Sequence, residues 1–234
     1  MDLLSVRLTI NYKDKPPVLD DLCLELRPGE VLGLVGHSGC GKSSLALAIL
    51  GLLNLKGGKA RGSILWDGHE LLALKEKEWR KLRGKVISFV PQSPMSALNP
   101  ALRLGTQMNE AWKLHGQGDS DYMEECVFQA LRDVGLPPNE EFLRRYPSEI
   151  SVGQAQRVLI GMAIMHRPAL LIADEPTSAL DAVTQAEILA LFRELNRKLG
   201  MTVIMVTHER ALADEYASRA IHLADGRVVE GVPA

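Results

Sequence analysis

The stretch Gly36-His37-Ser38-Gly39-Cys40-Gly41-Lys42-Ser43 sets a glycine, four residues and then Gly-Lys-Ser in a row. Its glycines let the backbone curl until successive N–H groups point inward at one anion, and phosphate oxygens are the anions such a nest fits. Lys42 would add a point charge for the β- and γ-phosphates, and the Ser43 hydroxyl a hard ligand for Mg²⁺. A helix expected over residues 43–53, opening with Ser43 and Ser44, aims its positive end at the same place. A glycine-rich turn with Ser43 as a plain helix cap is the bland alternative. The apolar run before the stretch and the helical run after it favour the phosphate cradle.

A second group of residues supplies carboxylates. Leu170-Leu171-Ile172-Ala173-Asp174-Glu175 ends an apolar run on two acids. Asp174 is placed to hold Mg²⁺ through its water shell, and Glu175, one residue further toward a nucleotide, to orient and activate an attacking water. An acidic pair capping the helix after Pro176 is the simpler reading. Adjacent carboxylates at the end of a buried run are costly without a cation, which favours the site.

These groups need strands and helices to position them. Residues 31–35, 86–90, 170–173 and 202–207 are short apolar runs, as expected for strands covered on both faces of a parallel sheet. Helical segments separate them, which predicts βα repeats. Residues 3–12 and 19–26 are also β-leaning, and Arg27-Pro28-Gly29-Glu30 makes the turn into the strand at 31. Asp67-Gly68 and Asp225-Gly226 predict hairpin turns, and Gly57-Gly58 a surface loop. From 106 to 146 no strand-like run occurs. Met123, Val127, Leu131 and Val134 instead form a helical stripe with Ser120 as cap and Gly135 as stop, so this part is expected to be a helical insertion. Residues 185–199 predict a further helix, with Ile188, Leu191, Phe192, Leu195 and Leu199 at core spacing.

Composition narrows the class. The 234 residues are 46% hydrophobic and 24% charged, with 27 basic against 29 acidic side chains, a net charge of −2. A chain of this kind buries a sizeable core, and without a basic excess no nucleic-acid partner is expected. The longest apolar run, residues 45–53, falls far short of the roughly 18 residues of a membrane span. The N-terminus lacks the pattern of a secretory signal. Cys23, Cys40 and Cys126 are an odd number without metal-ligand spacing, which excludes a disulfide scaffold. A cytosolic α/β protein is the expectation that remains.

The segment Glu149-Ile150-Ser151-Val152-Gly153-Gln154-Ala155-Gln156-Arg157, lying shortly before the acidic strand, resembles the signature motif of ABC-type ATPases. The resemblance extends over nearly the whole chain. Tyr12 matches the aromatic that stacks on adenine, and Gln92 the glutamine that senses Mg²⁺ and the membrane partner. Ser178-Ala179-Leu180-Asp181 matches the loop that crosses the dimer interface, and His208 the histidine that contacts the γ-phosphate. Taken singly, Tyr12 reads as a strand aromatic, Asp181 as a helix cap, His208 as an ordinary histidine and Cys40 as a small packed side chain. Such matches, standing together in family order, read as a site. Ser151 and Gln154 also form a capping box, which would present a helix N-terminus and a serine hydroxyl to an anion. In ABC ATPases that anion is the γ-phosphate held by the opposite subunit, and the resemblance implies that Ser151, Gly153 and Gln154 would contact it here. Val152 departs from the family's two consecutive glycines. A β-branched residue suits a positive φ badly but costs little if the segment is already helical.

The resemblance implies a P-loop NTPase (RecA-like) fold of the α/β class. Its mainly parallel core would hold residues 1–92 and 166–234, with an N-terminal antiparallel β subdomain, and a helical signature subdomain would be inserted over about 93–165. It implies ATP and Mg²⁺ as cofactors, and a second copy or a homologous ATPase subunit closing over two nucleotides. Two transmembrane permease subunits and, indirectly, an extracytoplasmic substrate-binding protein would be the other partners, with this chain peripheral at the cytoplasmic face of the inner membrane. Residues 91–100 resemble the peptide and nickel importer branch. A soluble repair or translation ATPase, or a regulatory nucleotide-binding subunit with weak turnover, are the other readings. Repair members carry a long coiled coil between the two halves of the site, where this chain has only a short helical region.

Overall fold

The structure, a computed structural model, describes residues 2–13 and 16–233. In chain order the first elements are β1 (Leu4–Tyr12), β2 (Leu19–Leu26), β3 (Val31–Gly36), α1 (Lys42–Ile49), β4 (Gly58–Trp66), β5 (His69–Glu70), α2 (Glu76–Leu82) and β6 (Ile87–Val90). The helices α3 (Pro94–Ala97), α4 (Leu104–Lys113), α5 (Ser120–Asp133), α6 (Glu140–Leu143) and α7 (Val152–Ile164) follow. The chain then runs β7 (Leu170–Asp174), α8 (Ala182–Leu199), β8 (Thr202–Thr207), α9 (Arg210–Tyr216), β9 (Arg219–Ala224) and β10 (Arg227–Pro233).

Two sheets result. An antiparallel one has the order β2-β1-β4-β5, and a second has the order β10-β9-β3-β8-β7-β6. In the second sheet β6, β7, β8, β3 and β9 are mutually parallel, and β10 returns antiparallel on β9. β7 shows why the parallel strands are apolar throughout. Leu170 and Ile172 enter a core shared with α1 and the antiparallel sheet, whereas Leu171 and Ala173 enter a core shared with α4, α5, α7 and α8. β1 instead alternates, burying Leu4, Val6, Leu8 and Ile10 on one face only.

Local chemistry sets the boundaries. Both Asp-Gly pairs form turns with two positive φ values, Asp67 at 47° with Gly68 at 78° and Asp225 at 49° with Gly226 at 75°, the geometry whose twist matches a hairpin. Three expectations need correction. The helix expected over 43–53 ends at Ile49, because Gly51 takes φ 64° and only a short 3-10 turn, Leu53–Lys56, follows. Gly57-Gly58 is not a loop: Gly57 closes that turn and Gly58 opens β4, buried. Asp119, not Ser120, caps α5, its carboxylate accepting the Tyr122 N–H at 2.9 Å. Gly135, at φ 69°, does end the helical stripe.

Candidate active site

The phosphate-loop residues lie at the C-terminal end of β3. Gly39 and Gly41 both take positive φ, 84° and 106°. A Cβ on Gly41 would stand 2.5 Å from Leu19 Cδ2 and 3.1 Å from Val18 O, so the curl and its packing both require glycine there. Gly36 is tight for another reason: a Cβ there would stand 2.5 Å from Cys40 Sγ, which packs buried inside the loop. Lys42 is 4% exposed, and its ammonium donates to Gly36 O at 2.6 Å and His37 O at 2.9 Å, holding the loop closed around its own charge. His37 donates through Nδ1 to Ser38 O at 3.0 Å. Ser44 Oγ and the Tyr12 hydroxyl lie 2.9 Å apart, joining α1 to the end of β1, while the Tyr12 ring packs half-buried against the core.

Neighbouring strand ends bring in the rest. β7 delivers Asp174, to which the Ser43 hydroxyl donates at 3.2 Å. Burial pushes the Asp174 carboxyl above its ordinary range and Glu175 adds to this, with Ser43 and Lys42 opposing. A half-buried carboxylate beside a serine hydroxyl is a pair of hard oxygens, the donor chemistry that suits Mg²⁺. Among the described residues no cluster of three or more His, Cys, Asp or Glu forms an all-protein metal cage, so a cation here would draw its remaining ligands from phosphate and water.

Glu175 follows with φ 44°, a left-handed backbone in a non-glycine residue, and its N–H is anchored on Val206 O at 3.0 Å. Its carboxylate is the meeting point of three side chains from three other segments. Gln92, after β6, donates to Oε2 at 3.1 Å; His208 Nδ1, after β8, stands 3.5 Å from the same oxygen; Lys42 Nζ stands 4.0 Å from Oε1. Gln92 also donates to Ser178 Oγ at 3.3 Å. Ser38, Gly39, Gly41, Lys42, Ser43, Ser44, Gln92 and Glu175 line one cavity of about 180 Å³. Residues separated by more than 160 positions in sequence thus converge because β3, β8, β7 and β6 are adjacent and parallel, with their C-terminal ends on one edge.

The signature segment forms a second cluster. Ser151 caps α7: its hydroxyl accepts the Gln154 N–H at 3.2 Å, and Gln154 Oε1 accepts the Ser151 N–H at 3.1 Å. Val152 is the first residue of α7 and does not take a positive φ, so the departure from glycine costs the backbone little. Gly153 faces α8, where a Cβ would stand 2.7 Å from Thr184 Cγ2. Asp181 caps α8, accepting from Val183 N at 3.1 Å, Thr184 N at 3.0 Å and Thr184 Oγ1 at 2.7 Å. These bonds hold its carboxyl below the ordinary range, the Thr184 N–H contributing most. The hydrogen bonds of Ser151, Gln154 and Asp181 therefore cap two helix N-termini, which Gly153 and Thr184 bring together.

Sequence reasoning missed Gln185, in the first turn of α8, which reaches both the loop after β7 and the loop after β8. Its place four residues after the Asp181 cap, on the helix face that turns back toward the sheet, was the available signal.

Among the described residues no helix is long and apolar enough to cross a membrane. Residues 19–178 match the sequence profile of the ABC transporter family. The chain is 42% identical over 234 residues to the dipeptide transport ATP-binding protein DppD of Haemophilus influenzae, an alignment covering 98% of this chain and 71% of that one. To the oligopeptide transport ATP-binding protein OppD of Escherichia coli it is 40% identical over 232 residues, 98% of this chain and 68% of that one. Of solved structures, cbiO1 from Clostridium perfringens, part of the ABC transporter complex cbiONQ, matches with a TM-score of 0.87 at 29% identity, over 99% of this chain and 88% of that one. A dimeric, post-hydrolysis structure of the ATP-binding cassette MJ0796 with ADP and Pi gives 0.82 at 29% identity, over 98% of both chains.

Proposed function

Because this chain belongs to the ABC transporter family as an ATP-hydrolysing cassette, we propose that it is the motor subunit of a peptide importer, in which Glu175 activates the water that attacks ATP. The observation that carries this reading is the convergence of Lys42, Gln92 and His208 on one carboxylate at the mouth of the phosphate loop.

Phosphoryl transfer to water needs positioning and charge stabilisation more than covalent help. The backbone N–H groups from Gly36 to Ser44 and the Lys42 ammonium would hold the phosphate oxygens. Ser43 and Asp174, with Gln92 nearby, would hold Mg²⁺, which when bound neutralises charge on those oxygens. Glu175 takes a proton from water as its oxygen bonds to the γ-phosphorus and the bond to the bridging oxygen of ADP breaks. Gln92 orients the Glu175 carboxylate, and His208 would contact the γ-phosphate. Tyr12, at the end of β1, would carry adenine on its ring.

Ser151, Gly153, Gln154 and Asp181 would complete the site of a second cassette, a copy of this chain or a homologous subunit. The capped N-termini of α7 and α8 would offer N–H groups and a hydroxyl to its γ-phosphate. Contacts made only across the pair make ATP a switch between open and closed arrangements. The groove near Gln92 and the helical insertion would receive a coupling helix from one of two permease subunits, which would hold the chain peripherally at the cytoplasmic face of the membrane, with a substrate-binding protein on the far side. The names of the dipeptide and oligopeptide relatives support peptides as the cargo.

Glu175→Gln tests the reading. Loss of a general base costs about 10²- to 10⁴-fold, so turnover should fall by at least that lower figure while ATP is still bound, and ATP should drive a stable dimer on size exclusion. Turnover comparable with wild type would sink the role of Glu175. Persistent monomers would count against a homodimer.

A further inference from the structure

Glu175 and His208 stand on separate loops, one after β7 and one after β8, and little in their own contact fixes their distance. The carboxylate–imidazole separation is 3.5 Å, long for a hydrogen bond, and the His208 side chain is 50% exposed. Each loop, however, carries a side chain held by one and the same amide. Gln185 Nε2 donates to Glu209 Oε1 at 2.8 Å, one residue after His208, and to Thr177 Oγ1 at 3.3 Å, two residues after Glu175.

We propose that Gln185 is a positioning residue for hydrolysis: its amide ties the loop of Glu175 to the loop of His208 and so sets the geometry of that pair. The proposal rests on the hydrolytic reading of Glu175 given above.

The tether is mounted on a rigid part of the molecule. The Gln185 N–H donates to Asp181 O at 2.8 Å inside the first turn of α8, whose N-terminus Asp181 caps and whose Ile188, Leu189, Leu191 and Phe192 are buried. Both loop ends are fixed as well. Thr177 is buried, and its carbonyl accepts the Leu180 N–H at 3.1 Å. The Glu209 N–H donates to Thr207 Oγ1 at 3.0 Å, and its carbonyl accepts from Ala213 N at 3.3 Å as α9 begins. A side chain that only coated the helix surface would not have its NH₂ group directed to two loops at once. An amide also joins a hydroxyl to a carboxylate without adding a charge beside Glu175. Positioning groups of this kind act through sub-ångström placement, and a misplacement of about 1 Å can cost on the order of 10²-fold in rate.

The test is a set of substitutions read by steady-state ATP hydrolysis and by the His208 imidazole resonance in NMR. Gln185→Leu removes both donors at similar size and should lower kcat about tenfold, within the range for loosened positioning, with KM for ATP and the thermal midpoint nearly unchanged. Gln185→Glu sets two carboxylates against each other and should be worse. Gln185→Glu combined with Glu209→Gln restores the bond with the roles exchanged, since the amide at 209 and the Thr177 hydroxyl can both donate to the carboxylate at 185. That pair should recover most of kcat. The His208 resonance should move in Gln185→Leu and return in the exchanged pair. Wild-type kcat in Gln185→Leu, an exchanged pair no better than Gln185→Glu alone, or a stationary His208 resonance would each overturn the tether. Retained turnover in Glu175→Gln alongside a moving His208 resonance would defeat the role of Glu175 and leave the tether standing.

Discussion

Gly153→Ala is the sharpest probe of how the signature segment is held. The added Cβ would lie 2.7 Å from Thr184 Cγ2, whereas ordinary contact begins near 3.4 Å. Thr184 cannot swing clear. It is β-branched on a helix, which leaves it few rotamers, and its Oγ1 donates to Asp181 Oδ2 at 2.7 Å, so rotation would break part of the α8 cap. The first turns of α7 and α8 must therefore separate by several tenths of an ångström. Overpacking of this kind costs about 1–3 kcal/mol, and the better helix propensity of alanine returns at most about 1 kcal/mol near a helix end. The net expectation is destabilisation of about 1–2 kcal/mol, a thermal shift of roughly 2–8 °C at 2–4 °C per kcal/mol for a domain of this size. Displaced caps should also weaken the signature, so ATP-driven pairing and turnover should fall together. Thr184→Ser supplies the control, since it deletes Cγ2 and keeps the hydroxyl for Asp181. Combined with Gly153→Ala it should recover most of the midpoint in urea and most of the turnover. Unaltered stability and turnover in Gly153→Ala would refute the close approach of the two helices, and a double variant as impaired as the single one would refute Thr184 as its cause.

Asp174→Asn should raise the thermal midpoint of the nucleotide-free protein at pH 7. The wild-type carboxyl has a folded pKa above its ordinary 3.8, chiefly through burial, so the folded state binds the proton more tightly than the unfolded one. The wild type is then fully stable, on this account, below the ordinary value and loses stability as pH rises through the folded value. The advantage of the asparagine variant should therefore vanish on acidification below about pH 3.8, while stabilisation by Mg-ATP, measured by thermal shift, should be lost at every pH. Val152→Gly should change stability by less than about 1 kcal/mol and turnover by less than threefold in an ATPase assay, because Val152 already occupies a helical position and is 38% exposed. A large gain in turnover would show that the valine obstructs the signature.

Elements with a strong local cause were legible in the sequence. The Asp-Gly hairpins, the Ser151 capping box, the parallel strands and the Asp181 cap each follow from a few adjacent residues. Helix ends were legible only where one signal stood alone. At α5, Asp119 and Ser120 compete for the cap, and the carboxylate holds it. At α1, Gly51 stops the helix although the leucines beyond it continue an apolar pattern. The site itself was legible as motifs but not as geometry. Nothing in the order of residues says that Gln92, Lys42 and His208 share one carboxylate, since that depends on which strands are neighbours in the sheet.

The physical division within the chain is clearest at the start of α8. Thr184 faces the signature through Gly153, and Gln185, the next residue, faces the loops of Glu175 and His208. Adjacent helical residues point about 100° apart, so a single turn bears on both clusters through two different side chains. A displacement of that turn would act on both together, whereas loss of one side chain would act on one. Gly153→Ala should therefore impair pairing and turnover alike. Gln185→Leu should slow turnover and leave ATP-driven pairing intact. If Gln185→Leu abolished pairing as well, the two contacts of α8 would not be separable, and the turn would have to move as one rigid piece.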